Sequence, residues 1–222
     1  MRLTVYNGSP RGKAGNTEVM LSQVIAGFTS ITDPDLVIIH LSSAKQRQEA
    51  HKHFAQSDLV LLGFPLYTDA MPGLVKEFIE SLQPYVGRDD NPKMAFLVQS
   101  GFPEAHHSRF VERYLEKLTR RLDAPYAGTI VKGGCEGLRL MPEAMNQKLF
   151  DTLRELGADL AKEGRFDQEK LKALAKPARY PRILAPLFKL ILRFPKTQSY
   201  WNRQLEQNGA YDERFARPFM EE

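Results

Sequence analysis

The chain of 222 residues contains a single cysteine, Cys135. It can close no internal disulfide, and without a cysteine cluster it has no thiolate set for structural zinc or an iron–sulfur centre. No window approaches the roughly 18 uncharged apolar residues that a membrane-spanning helix needs. The N-terminus, MRLTVYNGSP, runs straight into strand-like sequence. It lacks the long apolar region and small-residue cleavage site of a secretory leader, so a cytoplasmic location is expected. Acidic residues are missing altogether between Glu169 and Glu206, an interval that holds Lys170, Lys176, Arg182, Lys189, Arg193 and Arg203 among its basic side chains.

What is present is ordinary in bulk, with 42% hydrophobic and 26% charged residues, which excludes a disordered or fibrous class. The length suits one sizeable α/β domain with an extension. The net charge of +4 is unevenly placed, because residues 165–222 carry 12 Lys+Arg against 7 Asp+Glu. Residues 1–164 are therefore near neutral, and composition divides the chain into a domain over 1–164 and a basic, partly helical extension over 165–222.

Short β-rich runs alternate with amphipathic stretches. RLTVY (2–6), LVIIHL (36–41), LVLLGF (59–64), KMAFLVQS (93–100) and YAGTIVK (126–132) read as strands, the middle three nearly continuous in apolar residues as buried parallel strands are. Residues 16–28, 49–57, 73–86, 108–122 and 142–164 read as helices. In the fourth of these, Phe110, Tyr114, Leu115, Leu118 and Leu122 recur at three- and four-residue spacing and are expected to line one buried face. Five strands alternating with five helices imply a doubly wound, five-stranded parallel sheet with helices on both faces. Ligands in such a sheet sit beyond the carboxyl ends of the strands, where strand order reverses.

The first such loop, NGSPRGKAGNT, places Gly8, Gly12 and Gly15 ahead of the first helix. Asn16 suits an N-cap and Thr17 a first turn. Free amides there, with Ser9, Thr17 and Arg11, make a small anion site. A Walker loop is excluded by its spacing, since GSPRGKA has three residues where four are needed and Ala14 where a hydroxyl belongs. The glycine spacing also fails the dinucleotide fingerprint.

This loop resembles the phosphate loop of the NAD(P)H-dependent FMN reductase-like flavoproteins, which share the flavodoxin-like fold. So does GFPLYTDAMPGLVKEFIE (63–80), which is similar to that family's segment after the third strand, and GGCEGLRLMPE (133–143) extends the likeness. The resemblance implies that Ser9, Arg11, Asn16 and Thr17 bind the FMN phosphate. It implies that Pro65, Leu66 and Tyr67 meet the flavin ring and that Ser100 and Gly101, in VQSGFPEAHHS (98–108), border it. Phe102, Glu104 and His107 would then face the second substrate. The implied activity is an NAD(P)H oxidoreductase: NADPH or NADH delivers hydride to flavin N5, and electrons pass on to a quinone, flavin or similar small acceptor. A homodimer is expected. An electron carrier of flavodoxin type and a membrane-surface flavin-binding module are the alternatives. The chain departs from the iron–sulfur members of the wider group, because LSSAKQRQEAHKH after the second strand has no cysteine.

Adjacent His106 and His107 sit at a helix start, where neighbouring side chains diverge, with no third ligand apparent in the sequence; no metal site is expected. In the extension, PLFKLILRF (186–194) reads as a short apolar helix with Lys189 and Arg193 on one face. At about 1.5 Å per residue it is too short to span a bilayer. It would pack on the domain or a second subunit, or make peripheral membrane contact through residues 181–196. Nucleic acid is not an expected partner, because the basic residues lack an interleaved stacking platform.

Overall fold

All five expected strands form, and they form one parallel sheet: β1 (Arg2–Asn7), β2 (Asp35–His40), β3 (Leu59–Pro65), β4 (Lys93–Gln99) and β5 (Tyr126–Lys132), in the order β2-β1-β3-β4-β5. The computed structural model describes residues 1–181, 183, 186 and 195–217. The chain runs from β1 outward to β2, then crosses back to β3 on the other side of β1. The loops after β1 and β3 therefore leave the sheet toward opposite faces and open a crevice between them. This is the flavodoxin-like arrangement.

Helices α1 (Asn16–Thr29), α2 (Ala44–Ala55), α3 (Gly73–Ser81), α4 (Arg109–Leu122), α5 (Glu143–Glu163) and α6 (Gln168–Leu174) cover both faces. Alternate residues along the strands feed two cores. One joins Tyr6, Val60, Leu62 and Phe96 to Phe54, Phe78 and Leu115, and so lies under α2, α3 and α4. The other joins Leu3, Val5, Leu61 and Ile130 to Met20, Val24, Leu153 and Leu156, under α1 and α5. In that second core α1 and α5 touch backbone to backbone. A Cβ on Gly27 would stand 1.8 Å from the Arg154 carbonyl oxygen, and one on Gly157 would stand 2.0 Å from that of Val24.

Three details differ from the sequence reading. Helix α2 begins at Ala44, not at 49, because the Ser43 side chain caps it by accepting from the Gln46 amide. On α4 the buried row is Val111, Leu115, Thr119 and Leu122, while Phe110 is 70% exposed and Tyr114 half-exposed. Phe110 and Tyr114 occupy the neighbouring helical row, and there Phe110 stacks under the Arg113 guanidinium, 4.8 Å from its ring centre. The third difference concerns the boundary.

Compact units span Met1–Arg179 and Tyr180–Glu222, so the division at 165 follows charge and not packing. Phe166 is fully buried and its amide donates to the Ala127 carbonyl. Asp167 caps α6 by accepting from the Lys170 amide at 2.8 Å, and the carbonyls of Pro177 and Ala178 accept from the amides of Ala105 and His106. The second unit contains a helix over Pro195–Gln207 and a short segment in which the Arg214 guanidinium covers the Tyr211 ring at 3.8 Å. Residues 187–194 of the expected apolar helix over 186–194, and most of the proposed membrane-contact segment 181–196, lie outside the described residues. Among the described residues no helix is long and apolar enough to cross a membrane.

Candidate functional site

The loop after β1 is organised by a residue that ends an apolar strand with a side-chain amide. Asn7 is fully buried; its Oδ1 accepts from the Ser9 amide at 2.8 Å, and its Nδ2 donates to Glu18 Oε2 at 2.7 Å and to the Gly12 carbonyl at 3.3 Å. His40, at the end of β2, braces the same Glu18 oxygen at 3.1 Å. These bonds hold the loop in a tight return, with Gly12 in the left-handed region at φ 52°, where a side chain would be strained.

The return leaves the N-terminus of α1 open. Its N-cap is Gly15, without a side-chain cap, where Asn16 was expected to serve. Asn16 instead reaches across to the loop after β5 and donates to the Cys135 carbonyl at 2.6 Å. The amides of Asn16 and Thr17 find no acceptor among the described residues. Uncapped first-turn amides carry the positive end of the helix dipole and favour an anion. The Gly15 backbone lies so near Ser9 that an added Cβ would meet its Oγ at 2.6 Å.

The facing loops are laced together at the carboxyl edge of the sheet. The Leu66 amide donates to the Gln99 carbonyl, Ser100 to Lys132, Cys135 to the Ser100 carbonyl and Gly134 to that of Phe102. Tyr67 and Ala70 pair in both directions at 2.9 and 3.0 Å, closing a two-residue turn in which Thr68 and Asp69 have φ of 50° and 59°. Such turns favour Asn and Gly, so a β-branched Thr there is strained.

Ser9, Arg11, Asn16, Pro65, Leu66, Tyr67, Ser100 and Gly101, expected from the sequence, all line one cleft at this edge. Thr17 is not among the lining residues: it is fully buried, and its Oγ1 accepts from Gln99 Nε2 at 3.4 Å. Phe102 lies outside the lining as well, half-exposed and stacked on His107 with ring centres 4.5 Å apart. Glu104 and His107 flank it on the same segment. The sequence reading missed Asn7, which shapes the first loop, and Gln99 and Glu136, which join the lining. For Asn7 and Gln99 the available signal was a polar residue closing an otherwise apolar strand.

Cys135 offers no chemistry of its own. Burial pushes its thiol up to about 12, with nearby Lys132 acting in the opposite direction, and at neutral pH it stays protonated and a poor nucleophile. A larger groove of about 490 Å³ between α3 and α4, lined by Ile79, Tyr114 and Arg121 among others, receives nothing from the strand-end loops.

Several solved structures share the fold. An NAD(P)H:quinone oxidoreductase from Methanothermobacter marburgensis matches with a TM-score of 0.57 at 14% identity, over 72% of this chain and 96% of that one. An NADH:FMN oxidoreductase in its apo form matches at 0.56 and 15% identity, over 79% and 96%. An FMN-dependent NADH-azoreductase from Bacillus anthracis, in complex with FMN, matches at 0.56 and 12% identity, over 73% and 100%. At these identities the likeness is one of fold. No protein-family model and no curated protein sequence matches the chain.

Proposed function

We propose that this chain is an FMN-dependent oxidoreductase that takes hydride from NADPH or NADH and passes electrons to a quinone, a flavin or a similar small acceptor. The observation that carries the reading is the open end of α1, where the Asn16 and Thr17 amides lack acceptors among the described residues and Asn16 lines one cleft wall with Ser9 and Arg11. That set fits a phosphate monoester, and its position at the reversal of strand order is where a mononucleotide belongs in this fold. The names of the fold neighbours, which include quinone, FMN and azo-compound reductases, support the same class.

FMN, when bound, supplies the redox centre that accepts hydride and releases the electrons. The protein's part is to hold and orient. Ser9, Arg11 and the α1 amides would bind the phosphate; Pro65, Leu66 and Tyr67 on one side and Ser100 and Gly101 on the other would border the ring, offering an aromatic face and strand-end backbone. Phe102, Glu104 and His107 flank the space left for donor and acceptor. No side chain is assigned as nucleophile, acid or base. A homodimeric state is part of the reading, supported by the exposed Phe110 and Tyr114 on α4, as is action in the cytoplasm.

The test is the visible spectrum of the purified protein before and after anaerobic NADPH or NADH. Flavin bands bleached by one nucleotide are expected, and that nucleotide is the donor. Flavin that binds but is not reduced by either nucleotide selects an electron carrier instead, and failure of added FMN to bind overturns the reading.

A further inference from the structure

His106 and His107 do not diverge. They lie in a single 3₁₀ turn, Ala105–Ser108, which brings their rings to 4.0 Å between centres. The same turn supplies a third group: Glu104, His106 and His107 each place a ligand atom within 4.8 Å of the others, all three residues half-buried. Glu104 Oε2 stands 3.7 Å from His106 Nδ1 and 4.0 Å from His107 Nε2. These separations are too long for hydrogen bonds. They are near the spacing of two atoms sharing one metal ion, since ligands about 2.1 Å from a tetrahedral zinc lie about 3.4 Å apart.

Two further features prepare the histidines as ligands. His107 Nδ1 is 3.0 Å from Asp69 Oδ1. A carboxylate only accepts, so in the neutral ring Nδ1 carries the proton and Nε2 keeps its lone pair toward Glu104. This is the carboxylate–histidine arrangement that orients metal-binding imidazoles. His106 Nδ1 is buried with no hydrogen-bond partner among the described residues, a costly state for a polar atom unless something else satisfies it. The turn itself is pinned, because the Ala105 and His106 amides donate to the Pro177 and Ala178 carbonyls.

We propose that Glu104, His106 and His107 form a binding site for a divalent transition-metal cation of the zinc class, with Asp69 as the positioning residue for His107. Three protein ligands of the His₂Glu type leave one position open, as sites that bind a small molecule on the metal do. The site ties the turn after β3 to the loop after β4, and it is independent of whether FMN binds.

The experiment is calorimetric titration of Zn²⁺ into the full chain, freed of metal with a chelator, at neutral pH. One ion per chain is expected. Glu104→Gln and His107→Gln should each weaken binding by about 100-fold or more, and Asp69→Asn by about 10- to 100-fold. The double variant His51→Gln/His53→Gln, which removes the other closely spaced histidines, should bind as the parent does. Mg²⁺ should not compete, because it needs oxygen ligands. Metal-free melting curves check that each variant is folded, and His106→Gln provides a second arm where one is not. Absence of zinc uptake by the folded parent at about 100 μM overturns the proposal, as does equal uptake by the folded Glu104→Gln and His107→Gln variants.

Discussion

Asn16 and Cys135 are 119 residues apart in sequence, and the side-chain amide of the first donates to the backbone carbonyl of the second at 2.6 Å. This one bond joins the phosphate-type loop after β1 to the loop after β5. Helix α1 has no side-chain cap because its N-cap residue is Gly15. Asn16→Ala should cost about 0.5–1.5 kcal/mol of stability and weaken FMN several-fold. Asn16→Asp removes the same donor and adds a negative charge beside the anion site, so it should weaken FMN further. Fluorescence titration of FMN against both variants, with urea melts, checks the order.

Arg11 supplies the cleft's side-chain cation, and Ser9 supplies a hydroxyl beneath it. A charge-assisted hydrogen bond contributes about 1.5–3 kcal/mol, so Arg11→Ala should weaken FMN by about 10- to 100-fold. Riboflavin lacks the phosphate and should bind parent and variant alike. Equal losses for both ligands would place Arg11 against the ring and contradict its assignment to the phosphate.

The near-contact of α1 with α5 leaves no room for a methyl group at Gly27 or Gly157. Gly157→Ala should destabilise the protein by at least about 1–3 kcal/mol, because the two helices must separate and expose part of the core between them. Urea denaturation measures the loss. The usual gain from replacing a helical glycine by alanine is smaller, about 0.5–1 kcal/mol.

Thr68 carries a left-handed φ of 50° in the turn closed by Tyr67 and Ala70. Asparagine tolerates that region better than a β-branched residue. Thr68→Asn should therefore stabilise the fold by about 0.5–1 kcal/mol, seen as a raised Tm with the flavin spectrum unchanged.

Burial moves Cys135 from its ordinary 9.0 to about 12. Above pH 9 the unfolded chain releases this proton while the folded one keeps it, so the contribution is fully present below pH 9 and is lost as pH rises toward 12. The parent should lose stability across that window more steeply than Cys135→Ala. A thiol reagent at pH 8 should react with Cys135 only after unfolding.

Much of this was legible in sequence because the local signals agreed with one another. Continuous apolar runs such as LVLLGF became the central strands, and the glycine-rich turn before Asn16 opened a helix at that residue. The reading failed where two periodic rows overlapped. On α4, Phe110 and Tyr114 share helical spacing with Leu118 just as Val111 and Leu115 do with Leu122, and only the position of the sheet decides which row is covered. It failed again at 165, where basic charge begins but Phe166 still closes the core. The roles of Asn7 and Gln99 were hidden because they depend on partners brought up by the fold, Glu18 of α1 for Asn7 and Thr17 of α1 for Gln99. The meeting of Glu104 with two histidines depends on a 3₁₀ turn that spacing does not announce.

The backbone-to-backbone seating of α1 on α5 bears on the mechanics of the cleft. The amides at the head of α1 stand on a helix that cannot slide or roll without driving carbonyl oxygens into α-carbons. That wall has almost no compliance, and a ligand's anionic end meets a fixed anchor. Accommodation to ligands of different outline must then come from the opposite rim, the strained turn at Tyr67–Ala70 and the segment carrying Phe102 and His107, which are joined to each other by the Asp69–His107 bond and would yield together.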